Sequence, residues 1–290
     1  MVIIASGGYQ DNKEWLEKYC KGGRFISAFI PSKQTGDGIK MAWEVGAAPE
    51  GMGILQAYVL VIGEDMTTQL QHAGMQPYLW INQHGERFCD EGIRWDFPMA
   101  ANALTRQTGA TGFCLFDENT KTYLKEQGID YGEILVPTTK LTEIDSEIER
   151  GVKEGKAFQG HSLKELAEKI NVDFKKLQAT VDEYNACCDK HCDFVFAKDR
   201  SYLQPVRTPK FYAIKIGVSA LISEGGIKIN YKTEVLDKED KVVPGLYAVG
   251  CSAGGPIGET YPLDTTGGSL SFAVNSGRMA GESVLNYLGK

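Results

Sequence analysis

At 290 residues the chain is long enough for a substantial core and two domains. Hydrophobic residues make up 42% and charged residues 24%, a balance that excludes a mainly disordered chain. A net charge of −7 argues against nucleic acid as the partner, because neutralising phosphates needs a basic face. No apolar run reaches the roughly 18–20 residues needed to span a bilayer. The seven cysteines (Cys20, Cys89, Cys114, Cys187, Cys188, Cys192, Cys251) are odd in number and lack scaffold spacing, so they read as reduced thiols of a cytoplasmic protein.

Val2 to Ala5 is a short β-branched apolar run, the pattern of a strand buried on both faces rather than of a signal peptide. It runs into the tight turn Ser6-Gly7-Gly8. Asp11 or Asn12 is placed to cap a helix carrying Trp15, Leu16 and Tyr19. A second glycine turn, Thr35 to Gly38, precedes a short helix over Ile39 to Val45 that Gly46 stops. From about Tyr58 to Pro209 amphipathic helices alternate with short strands: a strand at Tyr78 to Asn82, helices at Asp145 to Glu154 and within Ser162 to Cys188. Ser162 and Glu165 have capping-box spacing, and Val172-Asp173 opens a further helix with Leu177, Val181 and Tyr184 on one face. Strands are predicted at Phe211 to Ile216, Gly226 to Asn230 and Leu246 to Val249. A glycine-rich stretch, Gly254 to Gly268, then leads to a helix over Ser269 to Tyr287 with Leu270, Ala273, Val274 and Met279 inward. The pattern is a discontinuous domain, residues 1–57 and 209–290, interrupted by an α+β insertion at 58–208.

A strand that ends in a glycine turn at a helix N-terminus is a ready-made anion site, because free N–H groups and the positive end of the helix dipole meet there. Ser6-Gly7-Gly8 and Gly267-Gly268-Ser269 both have this form. Cys187, Cys188, His191 and Cys192 lack a second ligand cluster at finger spacing, so no metal site is expected.

Six segments, in order, resemble a known family: VIIASGGY with DNKEW, TGDGIKMAWEVGA, INQHGERFCDE, LQATVDEYNACC, PGLYAVG and SGRMAGE. They are similar to segments of the FAD-dependent oxidoreductases that include soluble fumarate reductases, urocanate reductases and ketosteroid dehydrogenases. The resemblance implies an α/β partial FAD-binding (Rossmann-like) domain with an inserted α+β capping domain, and an enzyme acting on CH–CH bonds. In that family the active site lies between cap and flavin domain. The G-x-G-x-x-G turn with which the family opens does not precede Val2, so weak or absent FAD retention by this chain alone is expected. The alternatives are a non-catalytic module, or a subunit completed in trans by a chain carrying that turn. Self-association through exposed strand edges is a further expectation.

By resemblance, flavin contacts fall on Ala5, Ser6, Gly7, Gly8, Asp37, Gly250, Gly268, Ser269 and Leu270. Cys251 stands where the family has an acidic residue; it is either a small packed residue or a change in the flavin environment. The fumarate reductases' carboxylate-binding groups fall on Tyr58, on Leu70 and Gln71, near Leu221 or Ile222, and on Tyr261. Their proton-donating arginine falls on Trp95, with Arg94 one place away. A dicarboxylate needs charged partners at both ends, so fumarate is not the expected substrate. Gly258 to Pro262 is closer to the GATYP segment of ketosteroid dehydrogenases, which casts Tyr261 as the group that polarises an enone, or else as a loop anchor. Tyr261 and Arg94 are thus the catalytic candidates, and Tyr58, Gln71, His72 and Trp95 the substrate-binding ones, for a small-molecule substrate.

Overall fold

Apolar β-branched runs between glycine turns become strands, and stretches opened by capping side chains become helices, in a computed structural model that describes residues 1–132, 140–265 and 267–289. In chain order these are β1 (Val2–Ile4), α1 (Lys13–Tyr19), β2 (Ser27–Ala28), α2 (Asp37–Glu44), β3 (Pro49–Glu50) and β4 (Leu55–Leu60). There follow α3 (Gln69–Gly74), β5 (Leu79–Asn82), α4 (Phe97–Thr105), β6 (Gly112–Asp117), α5 (Glu118–Glu126), α6 (Ile144–Lys153), β7 (Ala157–Gly160), α7 (Leu163–Lys169) and α8 (Phe174–Asp189). Last come β8 (Phe211–Ser223), β9 (Gly226–Ile227), β10 (Glu234–Leu236), β11 (Val242–Ala248) and α9 (Gly268–Tyr287). The chain divides into two units, Met1–Tyr58 with Ser219–Lys290, and Val59–Val218, so β4 and β8 each begin in one and end in the other. No helix of the described residues is long and apolar enough to cross a membrane.

In the first unit β11 is the central strand of a three-stranded sheet, paired in parallel with β1 (Ile4 opposite Ala248) and antiparallel with β10. Val2 and Ile3 are 57% and 43% exposed, so β1 is not buried on both faces as its sequence suggests. It is the edge strand of that sheet, and only Ile4 turns into the core. The terminal helix also differs from expectation: Leu270 and Val274 are 72% and 65% exposed. The face that meets the sheet carries Ser276, Ala280 and Val284, packed on Tyr247 and Val249. These small residues let α9 approach the turn after β11 closely enough for the Gly250 N–H to donate to Ser276 Oγ at 3.0 Å. Around α1, Trp15 stacks on Trp43 (4.8 Å between ring centroids) and meets Tyr9 edge-on. Asn12, not Asp11, is the cap, accepting from Trp15 N–H at 3.1 Å, while Asp11 ties down Ser32 and Gln34.

In the second unit Phe211–Ile216 of β8 is flanked by β6 on one side and β7 on the other, all antiparallel, with β5 beyond β6. Leu166, Leu177, Val181 and Tyr184 of α7 and α8 cover Leu79, Ile81, Phe113, Leu115 and Ala213 of the sheet. Each such aliphatic side chain stabilises the fold by about 1.5–3 kcal/mol relative to exposure. Ser162 caps α7 by accepting from Glu165 N–H at 3.1 Å. The return arm of the expected capping box lands one residue early: the Glu165 carboxylate accepts from His161 N–H at 2.8 Å.

Candidate functional site

Because β1 and β11 run in parallel, the turns that follow them leave the same edge of their sheet. Val249 N–H donates to Ile4 O at 3.0 Å, and the Ser252 hydroxyl donates to Gly7 O at 3.0 Å, which ties the Ala5–Gly8 turn to the Gly250–Ser252 turn. Gly7 has φ +82°, a left-handed conformation that L side chains rarely adopt. A Cβ on Gly8 would fall 2.1 Å from Ser223 Oγ, the hydroxyl that accepts from Tyr9 N–H at 2.7 Å. The start of α2 joins the same edge, since a Cβ on Gly38 would fall 2.2 Å from Ser6 Oγ. Asp37, exposed at that helix start, accepts from Thr35 Oγ1 at 3.0 Å. Ala5, Ser6, Gly7, Gly8, Asp37, Gly250 and Cys251 are therefore gathered at one edge of the first unit, together with the start of α9.

The two helices that begin there differ from most of their neighbours. α1, α3, α5, α7 and α8 each open on a side chain that accepts from the first turn. α2 and α9 open instead on left-handed glycines, Gly36 and Gly267, with no capping side chain. The Gly268 N–H is taken by Thr265 O at 3.0 Å, but among the described residues no side chain caps the other first-turn amides of either helix, and the positive dipole ends there suit an anionic group. Within α9, Gly268 and Ser269 are half-buried and Leu270 is exposed. Thr266, in the glycine-rich stretch before it, lies outside the described residues.

Ser269 Oγ is the hub of a small polar cluster. It lies 2.9 Å from Tyr261 Oη and in hydrogen-bonding contact with the Glu224 carboxyl. Tyr261 and Glu224 are both buried, Glu224 at 2% exposure. Burial raises the Glu224 pKa above the usual 4.5, only partly offset by Ser269. Burial, with Glu224 as the nearest charge, pushes the Cys251 thiol up to about 11, so this cysteine is a neutral packed group.

The remaining predicted residues sit elsewhere. Tyr58 stacks on Phe29 at 5.3 Å in the first unit. In the second, Gln71 is fully buried and its side-chain oxygen accepts from Val61 N–H at 2.9 Å. His72 lies one position on, its Nε2 2.9 Å from Met66 O, and burial lowers its pKa. The 3-10 turn Glu91–Trp95 sends neighbouring side chains apart: Arg94 is fully buried, 4.7 Å above the Tyr131 ring, whereas Trp95 is 52% exposed and donates to Tyr202 Oη. A cavity of about 410 Å³ lined by Tyr231, Lys232, Met279, Glu282 and Tyr287 contains none of these residues.

Glu224, Ser223, Ser252 and Ser276 have no place among the sequence candidates. The available signal for Glu224 is an acidic residue between a serine and Gly225-Gly226 at the end of a long apolar strand.

The model of a family described as an FAD binding domain matches residues 1–267. The chain is 31% identical over 299 aligned positions to the vinyl phenol reductase of Lactiplantibacillus plantarum, covering 99% of this chain and 60% of the relative. It is 32% identical to the NADH:acrylate oxidoreductase of Vibrio harveyi, covering 98% and 26%. The chain thus spans 60% or less of the length of these two relatives. Its fold matches that of the 3-ketosteroid delta1-dehydrogenase of Sterolibacterium denitrificans with a TM-score of 0.78 at 22% identity, over all of this chain and 53% of that one. Two helix starts without a side-chain cap, beside a parallel strand pair and a tight glycine turn, fit such a cofactor. This chain belongs to the FAD binding domain family of flavoproteins.

Proposed function

We propose that this chain forms the flavin-facing wall and the substrate-activating group of an FAD-dependent oxidoreductase that reduces or desaturates a carbon–carbon double bond next to a carbonyl. In this reading Val59–Val218 is the capping domain. FAD, when bound, supplies the hydride chemistry. The chain's residues do the rest. Gly7, Gly8 and Gly250, packed on Gln34, Ser223 and Ala273, fix the turns that face the flavin, and the starts of α2 and α9 stabilise negative charge placed before them. Tyr261 donates a hydrogen bond to the substrate's carbonyl oxygen, which draws electron density from the alkene.

The observation that carries this reading is the Tyr261 hydroxyl held against the first turn of α9 by Ser269. The names of the two sequence relatives specify a vinyl phenol and acrylate, both conjugated alkenes. The preference for an enone over fumarate rests on the uncharged Leu70, Gln71, Leu221, Ile222 and Tyr261 at the positions of carboxylate-binding groups.

The test is spectroscopic first. The purified chain, given FAD, is expected to acquire a flavin band, either alone or with a chain carrying G-x-G-x-x-G. It should then reduce 2-cyclohexenone with a viologen donor, with fumarate turned over at least ~100-fold more slowly. Tyr261→Phe should lower kcat by roughly 100-fold without altering the flavin band. A chain that stays colourless under every condition would be a non-catalytic binding module. Equal turnover of fumarate would overturn the substrate assignment.

A further inference from the structure

Glu224 is a buried carboxyl to which the reading above gives no role. Its carboxyl meets the Ser269 hydroxyl, which is in turn 2.9 Å from Tyr261 Oη. Among the described residues no lysine or arginine nitrogen lies within ion-pairing distance of it. Its surroundings are packed tightly. Glu224 N–H donates to Ile54 O at 2.9 Å, and Cβ atoms on Gly225 and Gly226 would fall 2.2 and 2.3 Å from the carbonyl oxygens of Gly51 and Ser252. The carboxyl is therefore held in place by backbone rather than by a counter-charge.

A serine hydroxyl has one proton to donate, so it can donate to only one of its two neighbours at a time. When Glu224 is protonated, its O–H donates to Ser269 and Ser269 donates to Tyr261. The tyrosine proton is then free to point away from the cluster. When Glu224 is ionised, both donors reverse: Ser269 donates to the carboxylate, Tyr261 donates to Ser269, and the tyrosine proton is turned inward. Hydrogen bonds in such a chain are cooperative, so the carboxyl sets the direction of the whole.

We propose that Glu224 is a positioning residue and proton reservoir for Tyr261, acting through Ser269. The inference rests on Tyr261 being the group that activates the substrate. When the substrate oxygen takes the tyrosine proton, the Ser269 proton moves to Tyr261 Oη and the Glu224 proton to Ser269 Oγ. Each O–H bond that breaks is matched by one that forms, and Glu224 is left as a carboxylate to be reprotonated from solvent. The other titratable groups packed on the cluster are Tyr261 itself and Cys251, whose thiol stays neutral up to about pH 11.

The test reads the tyrosine directly. In the full chain labelled with [ζ-13C]tyrosine, the Tyr261 resonance, assigned by its loss in Tyr261→Phe, should move in a single step as pH rises past the ordinary carboxylate range. That step should vanish in Glu224→Gln, which keeps size and hydrogen bonding, and in Ser269→Ala, which cuts the chain. A resonance that stays flat in the native protein, or a step that persists in Glu224→Gln, would overturn the proposal. A second measurement separates this inference from the reaction it serves. With FAD bound, enone reduction should fall as pH rises through the same midpoint, and that fall should be absent from Glu224→Gln. The NMR step without turnover would keep the relay and remove the reaction, whereas turnover with a flat NMR trace would do the reverse.

Discussion

Glu91 in one unit and Glu224 in the other are both almost wholly buried, yet they are held in opposite ways. Glu91 is gripped by both ends of the Arg87 guanidinium, at 2.8 and 2.6 Å, accepts from Trp80 N–H, and has Lys198 at 3.3 Å. Arg87 reaches Asp193 as well, at 2.6 Å, so two cations balance two carboxylates in one interior network. Asp193 is held well below the usual carboxylate range, burial being outweighed by Arg87 and the amides of Phe196 and Val195. Among the described residues Glu224 has one hydroxyl and no cation. The contrast separates two uses of a buried acid. One is clamped between cations and fixes the path of the chain; the other rests on a hydroxyl, and burial raises its pKa. Low dielectric makes the first arrangement rigid and the second responsive.

The largest expected effect breaks the first arrangement. Glu91→Ala would leave Arg87 and Lys198 sharing one buried carboxylate, and removing one partner of such a network costs about 3–5 kcal/mol. Glu224→Gln, which preserves shape and a hydrogen bond, should cost about 0.5 kcal/mol or less. Urea unfolding followed by tryptophan fluorescence compares the two. A loss below ~1 kcal/mol for Glu91→Ala would mean that the network contributes no more than a surface pair.

The pH dependence sharpens the comparison with signs attached. The side chain of Glu64, a half-buried residue of the second unit, is almost inaccessible; desolvation alone would raise its pKa, but Arg150, Lys156 and Thr68 together lower it from 4.5 to about 2. Between those values the unfolded chain binds more protons than the folded one. Its stabilisation is therefore complete above pH 4.5 and is lost as pH falls towards 2, by about 2 kcal/mol after allowance for the half-exposed Arg150. Glu224 has the opposite sign. Its raised pKa means that the folded state binds the extra proton, so stability is fullest below 4.5 and declines as pH rises through the folded value. Unfolding curves collected against pH should show the acid limb flattened in Glu64→Gln and the decline on the other side flattened in Glu224→Gln. A single variant that flattens both limbs would contradict the assignment.

Features set by neighbours in sequence were legible before the structure. The glycine turn after β1, a cap at Asp11 or Asn12, the cap at Ser162 and the helix start at Val172-Asp173 follow from residues within three positions. Features set by distant partners were not. A helix period marks the apolar positions of α9 but not which face meets the sheet. Leu270 and Val274 look like core, yet the contact is made by Ser276 and Ala280, because only small side chains let the helix close on Gly250. Arg87 and Glu91 are only four positions apart, but Asp193 lies 106 positions from Arg87 and Glu224 meets a hydroxyl 45 positions away, so neither cluster is complete in any local stretch. The exposed outer strand β1 escaped for the same reason: a β-branched run reports its propensity, whereas edge or centre is decided by which strands pair with it.

The smallest expected effect tests whether the two units differ only in how they bury charge, or also in how they begin their helices. Asn12→Ala in the first unit removes the acceptor for Trp15 N–H and a donor to Thr35 O at 2.9 Å. Ser162→Ala in the second removes only the acceptor for Glu165 N–H, and leaves Glu165 bonded to His161. Each lost cap costs about 1 kcal/mol. The second tie of Asn12 reaches the segment that delivers the start of α2, so Asn12→Ala should exceed Ser162→Ala by a further ~0.5–1 kcal/mol. Hydrogen exchange locates the effect, because the extra loss should appear as faster exchange at Gly38 and Ile39 in Asn12→Ala. Equal costs with unchanged exchange there would show that α2 is positioned by Gly38 packing on Ser6 alone.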